Sequence, residues 1–172
     1  MIHTHTMTQL KTVQEPMKFL SSNISNANVL SNTYLEVPKT TAPTGVNIIP
    51  ASSLNYIKIV PMLATLATNQ TIRITGWNEV RSEAAVYYVP QMLFYGTLAA
   101  LNATGVTINS VALYSVATIT KTQGDAKIYN ATSAQNTAFM LVDTLGCSLI
   151  EIEYFATAGG AATGGNVFYG AI

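Results

Sequence analysis

Short runs of alternating apolar and polar residues follow one another through most of the chain. The run TIRITGW at 71–77 alternates isoleucine with polar residues, and the run SLIEIEYF at 148–155 alternates apolar residues with two glutamates. A period of two residues is typical of a strand that buries one of its faces. Both runs therefore predict β-strands with one face in a hydrophobic core.

Six further segments have the composition of strands. They are LNYIKIV at 54–60, AVYYVPQMLFY at 85–95, TGVTINSVALYSVATITKT at 104–122 (one or two strands), AKIYNAT at 126–132, TAFMLVD at 137–143 and NVFYGAI at 166–172. The segment 137–143 is almost continuously apolar, which predicts a strand buried on both faces. Pro90 is expected to bend or end the strand that contains it.

The spacing of these strands predicts the fold class. Turn residues separate the strands at intervals of roughly 8–12 residues, which favours antiparallel β-sheets in a sandwich or jelly roll. The turn residues Asn69 and Gln70 predict that 54–66 and 71–80 pair as a hairpin. No helical stretch is long enough to connect parallel strands. We therefore expect an all-β protein.

The first part of the chain differs from the rest. Residues 1–45 are rich in Ser, Thr and Asn, and Pro16, Pro38 and Pro43 interrupt them. We interpret this segment as an extended N-terminal arm that takes its order from a neighbouring molecule or from its own domain, with a floppy linker as the alternative. Residues 46–172 are then the β-sandwich body.

The low charge of the chain indicates that it belongs to an assembly. Only 16 of its 172 residues are charged, whereas about a quarter is usual in a soluble domain. Uncharged polar residues replace them, since Thr, Asn, Ser and Gln together number 53. Such strand surfaces are easily covered by other proteins, because burial then desolvates few charges.

Several partners are excluded on the same grounds. The net charge is zero and the charges are scattered singly, so no basic stripe is available for nucleic acid or for an anionic membrane surface. Residues 84–101 are long enough to span a bilayer, but Pro90, Gln91 and Gly96 interrupt them. We therefore expect neither nucleic acid nor a membrane as a partner.

The residues that commonly carry catalysis are sparse. The two histidines, His3 and His5, lie at the extreme N-terminus, and Cys147 is the single cysteine. A catalytic triad needs a histidine held by packed structure, and a zinc site needs three or four ligands. We expect no enzyme activity, no metal and no cofactor, and we interpret Cys147 as a small buried residue.

One pair of carboxylates has a spacing that suits catalysis. Glu151 and Glu153 lie two residues apart on one strand, so that their Cα atoms are roughly 6.5–7 Å apart on the same face. That separation is close to the carboxylate spacing of glycosidases. Their alternation with Ile150, Ile152 and Tyr154 favours a simpler interpretation, in which both are solvated glutamates on an outer face.

Exposed aromatic residues suggest an alternative function. Trp77 and the pair Tyr87 and Tyr88 are the candidates for stacking on sugar rings, as in a carbohydrate-binding module or the head domain of a fibre. However, only one of two adjacent strand residues faces a given side. A single tryptophan also suits a core or a subunit interface, which is the interpretation that we favour for Trp77.

Two stretches of the body resemble a known class of protein. The first comprises IKIVPML (57–63), TIRITGW (71–77) and YYVPQMLF (87–94), and the second comprises FMLVDTLGCSLIEIEY (139–154) and GGNVFYGAI (164–172). This order is similar to that of the small accessory head proteins of tailed bacteriophages, the cement or decoration proteins.

The resemblance implies a structural role in the virion. Such a protein would be a β-sandwich protomer in a symmetric oligomer such as a trimer, located on the capsid surface, where it binds the major capsid protein. The family has no catalytic residues to carry over. The positions that match are structural: Gly76 and Trp77 after the second strand, Asp143 and Gly146 at a turn, and Asn166 at the start of the last strand.

Overall fold

The described part of the chain consists of strands and their connections. The computed structural model describes residues 18–20, 37–64, 70–100, 106–108, 111–133, 136–156 and 165–172. In these ranges the strands are β1 (Lys18–Leu20), β2 (Ile48–Pro50), β3 (Tyr56–Leu63), β4 (Gln70–Arg81), β5 (Val86–Ala100), β6 (Val106–Ile108), β7 (Val111–Gly124), β8 (Lys127–Tyr129), β9 (Phe139–Asp143), β10 (Leu149–Ala156) and β11 (Gly165–Ala171). The described ranges contain no helix, and the prediction of an all-β protein is confirmed.

All strand pairs are antiparallel and belong to one sheet. The main order is β1-β11-β3-β7-β5-β4-β10-β2, while β6 pairs with β7, β9 pairs with β3, and β8 pairs with β9. The long strand β7 connects two regions of the sheet, because Tyr114 and Ser115 pair with β3 and the residues after them pair with β5. The finer prediction of a sandwich or jelly roll is not confirmed, since the hydrogen bonding is continuous from β1 to β2.

One hydrophobic core takes side chains from both ends of this strand order. Its buried members include Ile57 and Ile59 of β3, Ile72 and Ile74 of β4, Phe94 and Leu98 of β5, Met140 and Val142 of β9, Ile150, Ile152 and Tyr154 of β10, and Val167 of β11. The two-residue period in 71–77 and 148–155 therefore marks the core side of β4 and β10 correctly. Each fully buried aliphatic side chain stabilises the fold by about 1.5–3 kcal/mol.

The predicted hairpin between 54–66 and 71–80 is wrong. Strand β3 pairs with β11, β9 and β7, whereas β4 pairs with β5 and β10. Both β3 and β4 have an isoleucine stripe in the same core. Consecutive strands thus meet through their side chains instead of through their backbones.

Pro90 does not end its strand, contrary to one of the two expectations. Strand β5 continues through it, and Pro90 lies opposite Trp77 of β4. Two residues earlier, both backbone groups of Tyr88 bond to Lys39, on the edge away from β4. The nitrogen of Pro90 lies on that same edge, because backbone groups alternate along a strand. Its missing N–H therefore removes no hydrogen bond to β4.

The described parts of the N-terminal arm bind their own body. Strand β1 pairs with β11 over Lys18 to Leu20. The amide of Lys39 donates to the carbonyl of Tyr88 (3.0 Å), and the amide of Tyr88 donates to the carbonyl of Lys39 (2.8 Å). His3, His5 and the rest of the arm lie outside the described residues. Within the described ranges, no helix of the length and hydropathy of a membrane span occurs.

Candidate functional site

Gly76 and Trp77 lie inside a strand, which corrects their predicted position after the second strand. Strand β4 continues past them to Arg81. A Cβ atom on Gly76 would collide with the sulfur of Cys147 and would lie 3.0 Å from Cδ1 of Leu93. Only glycine fits this close approach. Cys147 itself is a buried core residue, and burial raises the pKa of its thiol.

The turn predicted at Asp143 and Gly146 is present. The amide of Leu145 donates to Oδ1 of Asp143 (2.8 Å), and the amide of Cys147 donates to the carbonyl of Thr144 (2.9 Å). The φ angles of Leu145 and Gly146 are 50° and 74°, which is the pattern of a type I′ turn. The expected start of the last strand is displaced by one residue, since β11 begins at Gly165 and Asn166 is its second residue.

The interpretation of Glu153 as a solvated glutamate is wrong. Its carboxylate accepts a hydrogen bond from Nε of Arg73 (2.9 Å). The side chain of Arg73 is 1% exposed and that of Glu153 is 12% exposed. The guanidinium of Arg73 also lies 5.2 Å above the ring of Phe155. The face of β4 and β10 opposite the core is therefore covered, and its charges are paired within the chain.

Glu151 is likewise engaged rather than solvated. Its Oε2 accepts a hydrogen bond from the indole nitrogen of Trp77 (2.9 Å), and its Oε1 accepts one from Nδ2 of Asn47 (3.4 Å). The ammonium of Lys39 lies 4.3 Å from the centre of the Trp77 ring. Trp77 is fully buried, so its ring is not available to a sugar. This cluster attaches the segment 37–47 to the sheet.

A second surface, which we call the aromatic face, is only partly covered. It is the side of β3, β8 and β9 opposite the core, and its residues are Tyr56, Lys58, Lys127, Tyr129, Phe139 and Leu141. Here the prediction that 137–143 is buried on both faces is wrong, because Phe139 and Leu141 are half-buried whereas Met140 and Val142 are buried. In an antiparallel sheet, the face away from the core is usually polar.

Stacked rings and lysines give the aromatic face a defined geometry. The rings of Tyr129 and Phe139 stack with their centres 4.6 Å apart. The ammonium of Lys58 lies 4.4 Å from the centre of the Phe139 ring, and that of Lys127 lies 5.4 Å from the centre of the Tyr129 ring. Leu141 is the cross-strand neighbour of both lysines. The face thus has an apolar centre with two oriented positive charges.

A third surface lies on the hairpin formed by the ends of β4 and β5. Val80 pairs with Tyr87 across the hairpin, and Val89 follows Tyr87 by two residues, so the three side chains share one side. Their exposed fractions are 46%, 39% and 37%. We call these three residues the hairpin ridge. The ridge is on the same side of the sheet as the core residues of β4, but it lies beyond the edge of the core. The half-buried Tyr88 faces the opposite side.

Comparison with known proteins identifies no relative. No protein-family model, no curated protein and no solved structure matches the chain. Among the described residues, no group of three or more histidine, cysteine, aspartate or glutamate side chains is placed to hold a metal ion. The arrangement of the described side chains is therefore the basis for assigning a function.

Sequence reasoning singled out Tyr87 but missed the two exposed surfaces as such, although each leaves a signal. For the hairpin ridge, the signal is the apolar residues of 78–89 in a segment that otherwise carries charges. For the aromatic face, it is a strand with apolar residues on both sides. Sequence alone assigns such a strand to the interior of its own domain, while the structure leaves one of its sides half-covered.

Proposed function

We propose that this chain is a non-enzymatic structural subunit of a virion, a cement or decoration protein on the capsid surface of a tailed bacteriophage. It would form a homo-oligomer and stabilise the head by binding the major capsid protein. The observation that carries this proposal is the apolar character of the aromatic face and the hairpin ridge. A chain with such uncovered surfaces and few charges is suited to contacts with other proteins.

The engagement of the carboxylates supports a structural role. Glu151 and Glu153 are the pair whose spacing suits glycoside hydrolysis, and their oxygens bond to Trp77, Asn47 and Arg73. These bonds hold the polar face of β4 and β10 together. The alternative of a sugar-binding or fibre-head module has less support. Of its three candidate residues, Trp77 is fully buried, Tyr88 is half-buried and only Tyr87 is exposed.

Binding to assembled shells tests the proposal. The purified chain is mixed with shells of the major capsid protein encoded in the same genome, and bound protein is measured by co-sedimentation. We expect saturable binding and a higher temperature of shell disruption, since many copies on a lattice reinforce each other. Failure to sediment with any form of the shell, at concentrations up to about 10 μM where standard interfaces bind, would refute the proposal.

The contribution of the arm is tested in the same assay. A variant without residues 1–17 retains strand β1 and the contact between Lys39 and Tyr88. If the arm contacts a neighbouring molecule as predicted, this variant should bind shells more weakly than the full-length chain. Its unfolding transition should be unchanged. Equal binding by the truncated and the full-length chain would show that residues 1–17 make no contact that the shell needs.

A further inference from the structure

The hairpin ridge lies where β4 and β5 extend beyond the end of their pairing with β10. Strand β10 accompanies β4 only as far as Trp77. Beyond that point, within the described ranges, Val80 and Arg81 pair with β5 alone. The amide of Ser82 donates to the carbonyl of Ala85 (2.8 Å), and the hydroxyl of Ser82 bonds to both backbone groups of Ala85. The hairpin therefore has a closed tip, which presents the ridge at little entropic cost.

The aromatic face has the width and composition to receive this ridge. It extends over three neighbouring strands, whereas the ridge is two strands wide. Its centre consists of the stacked rings of Tyr129 and Phe139 beside Leu141. Aromatic residues are enriched at the centres of protein interfaces, where they contact apolar partners. Valine and tyrosine side chains of the ridge are partners of this kind.

The charges of the two surfaces decide how they meet. The aromatic face carries Lys58, Lys127 and Asp143, which gives it a net charge of +1. The end of the hairpin carries the ion pair of Arg81 with Glu79 and the exposed Glu83 at its tip, which gives it a net charge of −1. Two aromatic faces in contact would join two surfaces of net positive charge, and two hairpin ends in contact would join two surfaces of net negative charge. Juxtaposed like charges are strongly unfavourable at an interface. Contact between a ridge and a face instead joins two surfaces of opposite net charge.

We propose that the hairpin ridge of one copy of this chain binds the aromatic face of a second copy, with Glu83 opposite Lys58 and Lys127. This inference rests on the proposed function, in which the chain forms a homo-oligomer, and it specifies the contact. The contact joins two different surfaces, so it cannot form a two-fold dimer from one pair of patches. A head-to-tail contact of this kind forms a ring when its rotation closes, and we infer a closed ring of three or more copies.

Charge reversal tests the contact in the full-length chain. Association is measured by analytical ultracentrifugation, which gives the native mass and the dissociation constant. The wild type is expected as a closed oligomer of at least three copies. Glu83→Lys, and separately the double variant Lys58→Glu with Lys127→Glu, should each weaken association by about tenfold or more. The triple variant that combines all three reversals restores the opposite charges and should regain the native mass.

Matched controls separate the contact from general charge effects. Asp125→Lys and Lys121→Glu reverse exposed charges elsewhere on the chain and should leave the native mass unchanged. Val80→Asp, which disrupts the apolar part of the contact, should give a monomer. The unfolding midpoint of each variant in urea reports whether the fold is intact. If Glu83→Lys does not fold, Glu83→Gln is measured in its place.

Three results would overturn the inference. They are a monomeric or dimeric wild type, a Glu83→Lys variant that associates as well as Asp125→Lys, and a triple variant no tighter than its parents. Shell binding is measured on the same samples. A monomeric wild type that binds shells would refute this contact and leave the proposed function standing. A ring-forming wild type that does not bind shells would refute the proposed function alone.

Discussion

The indole nitrogen of Trp77 donates a hydrogen bond to Oε2 of Glu151 at 2.9 Å, on the face of the sheet opposite the core. The indole is fully buried, so this bond satisfies a donor that water cannot reach. The same carboxylate bonds to Asn47, and Lys39 lies over the ring. One glutamate thereby joins β10, β4 and the segment that precedes β2.

Replacement of Glu151 should destabilise the chain by an amount that depends on whether the new side chain can accept a hydrogen bond from the Trp77 indole. Glu151→Ala leaves the buried indole N–H without this acceptor, and we expect a loss of about 1–3 kcal/mol in the free energy of unfolding. Glu151→Gln keeps an acceptor oxygen and should lose clearly less. Urea denaturation measures both, with Asp125→Ala at an exposed position outside the proposed contact as the control. Equal losses for alanine and glutamine would contradict the assigned role of this hydrogen bond.

The ion pair between Arg73 and Glu153 should show strong coupling. Glu153→Ala leaves the guanidinium of Arg73 in a nearly water-free site without this partner, and we expect a loss of about 3–5 kcal/mol. The double variant Arg73→Met with Glu153→Leu removes both charges and should cost less than the sum of its single variants. A double-mutant cycle by urea denaturation measures this coupling. Additive losses would show that the two side chains act independently.

Gly76 should tolerate no larger residue while Cys147 is present. Gly76→Ala places a methyl group against the sulfur of Cys147 and near Leu93, and we expect a loss of about 1–3 kcal/mol from overpacking. Cys147→Ala removes the sulfur, so it should cost less in the Gly76→Ala background than in the wild type. Denaturation of the four chains measures the difference. A loss for Cys147→Ala that is the same in both backgrounds would argue against direct contact.

The strands and their core side could be predicted from the sequence, but their partners could not. Isoleucines at every second position of β3, β4 and β10 require one buried face, which determines local conformation and orientation. The same pattern contains no information about which strand is adjacent. The predicted hairpin of β3 and β4 failed for this reason, since both strands direct isoleucines into the same core while bonding to other neighbours.

The polar side of a strand is ambiguous in a similar way. Alternation places Glu151 and Glu153 away from the core, and a period of two residues does not distinguish solvent from a second covered face. Their partners Arg73 and Trp77 are 80 and 74 residues away in the chain, beyond the reach of local patterns. The aromatic face was missed because Tyr129 and Phe139 come together only through the pairing of β8 with β9.

Replacement of Leu145 by asparagine should stabilise the folded chain. Its φ angle is 50° and its side chain is 53% exposed, so the residue has the steric cost of a left-handed conformation and little packing in return. Leu145→Asn should raise the free energy of unfolding by about 0.5–1 kcal/mol, because asparagine tolerates this conformation. Leu145→Ala keeps a Cβ atom and is the matched control. An equal response to alanine and asparagine would exclude backbone strain as the cause.

Tyr154 should make the stability of the chain depend on alkaline pH. Its burial raises the pKa of its phenol well above the usual value of about 10, against the smaller effect of a hydrogen bond with the Met62 backbone. Below pH 10 the phenol is protonated in both states and stability is unaffected. Above pH 10 the unfolded chain loses this proton while the folded chain retains it, so the free energy of unfolding falls by up to about 1.4 kcal/mol per pH unit. Urea denaturation between pH 8 and about pH 11 should show this fall to be smaller in Tyr154→Phe than in the wild type. Identical slopes in the two chains would mean that Tyr154 ionises as readily in the folded state as in the unfolded one.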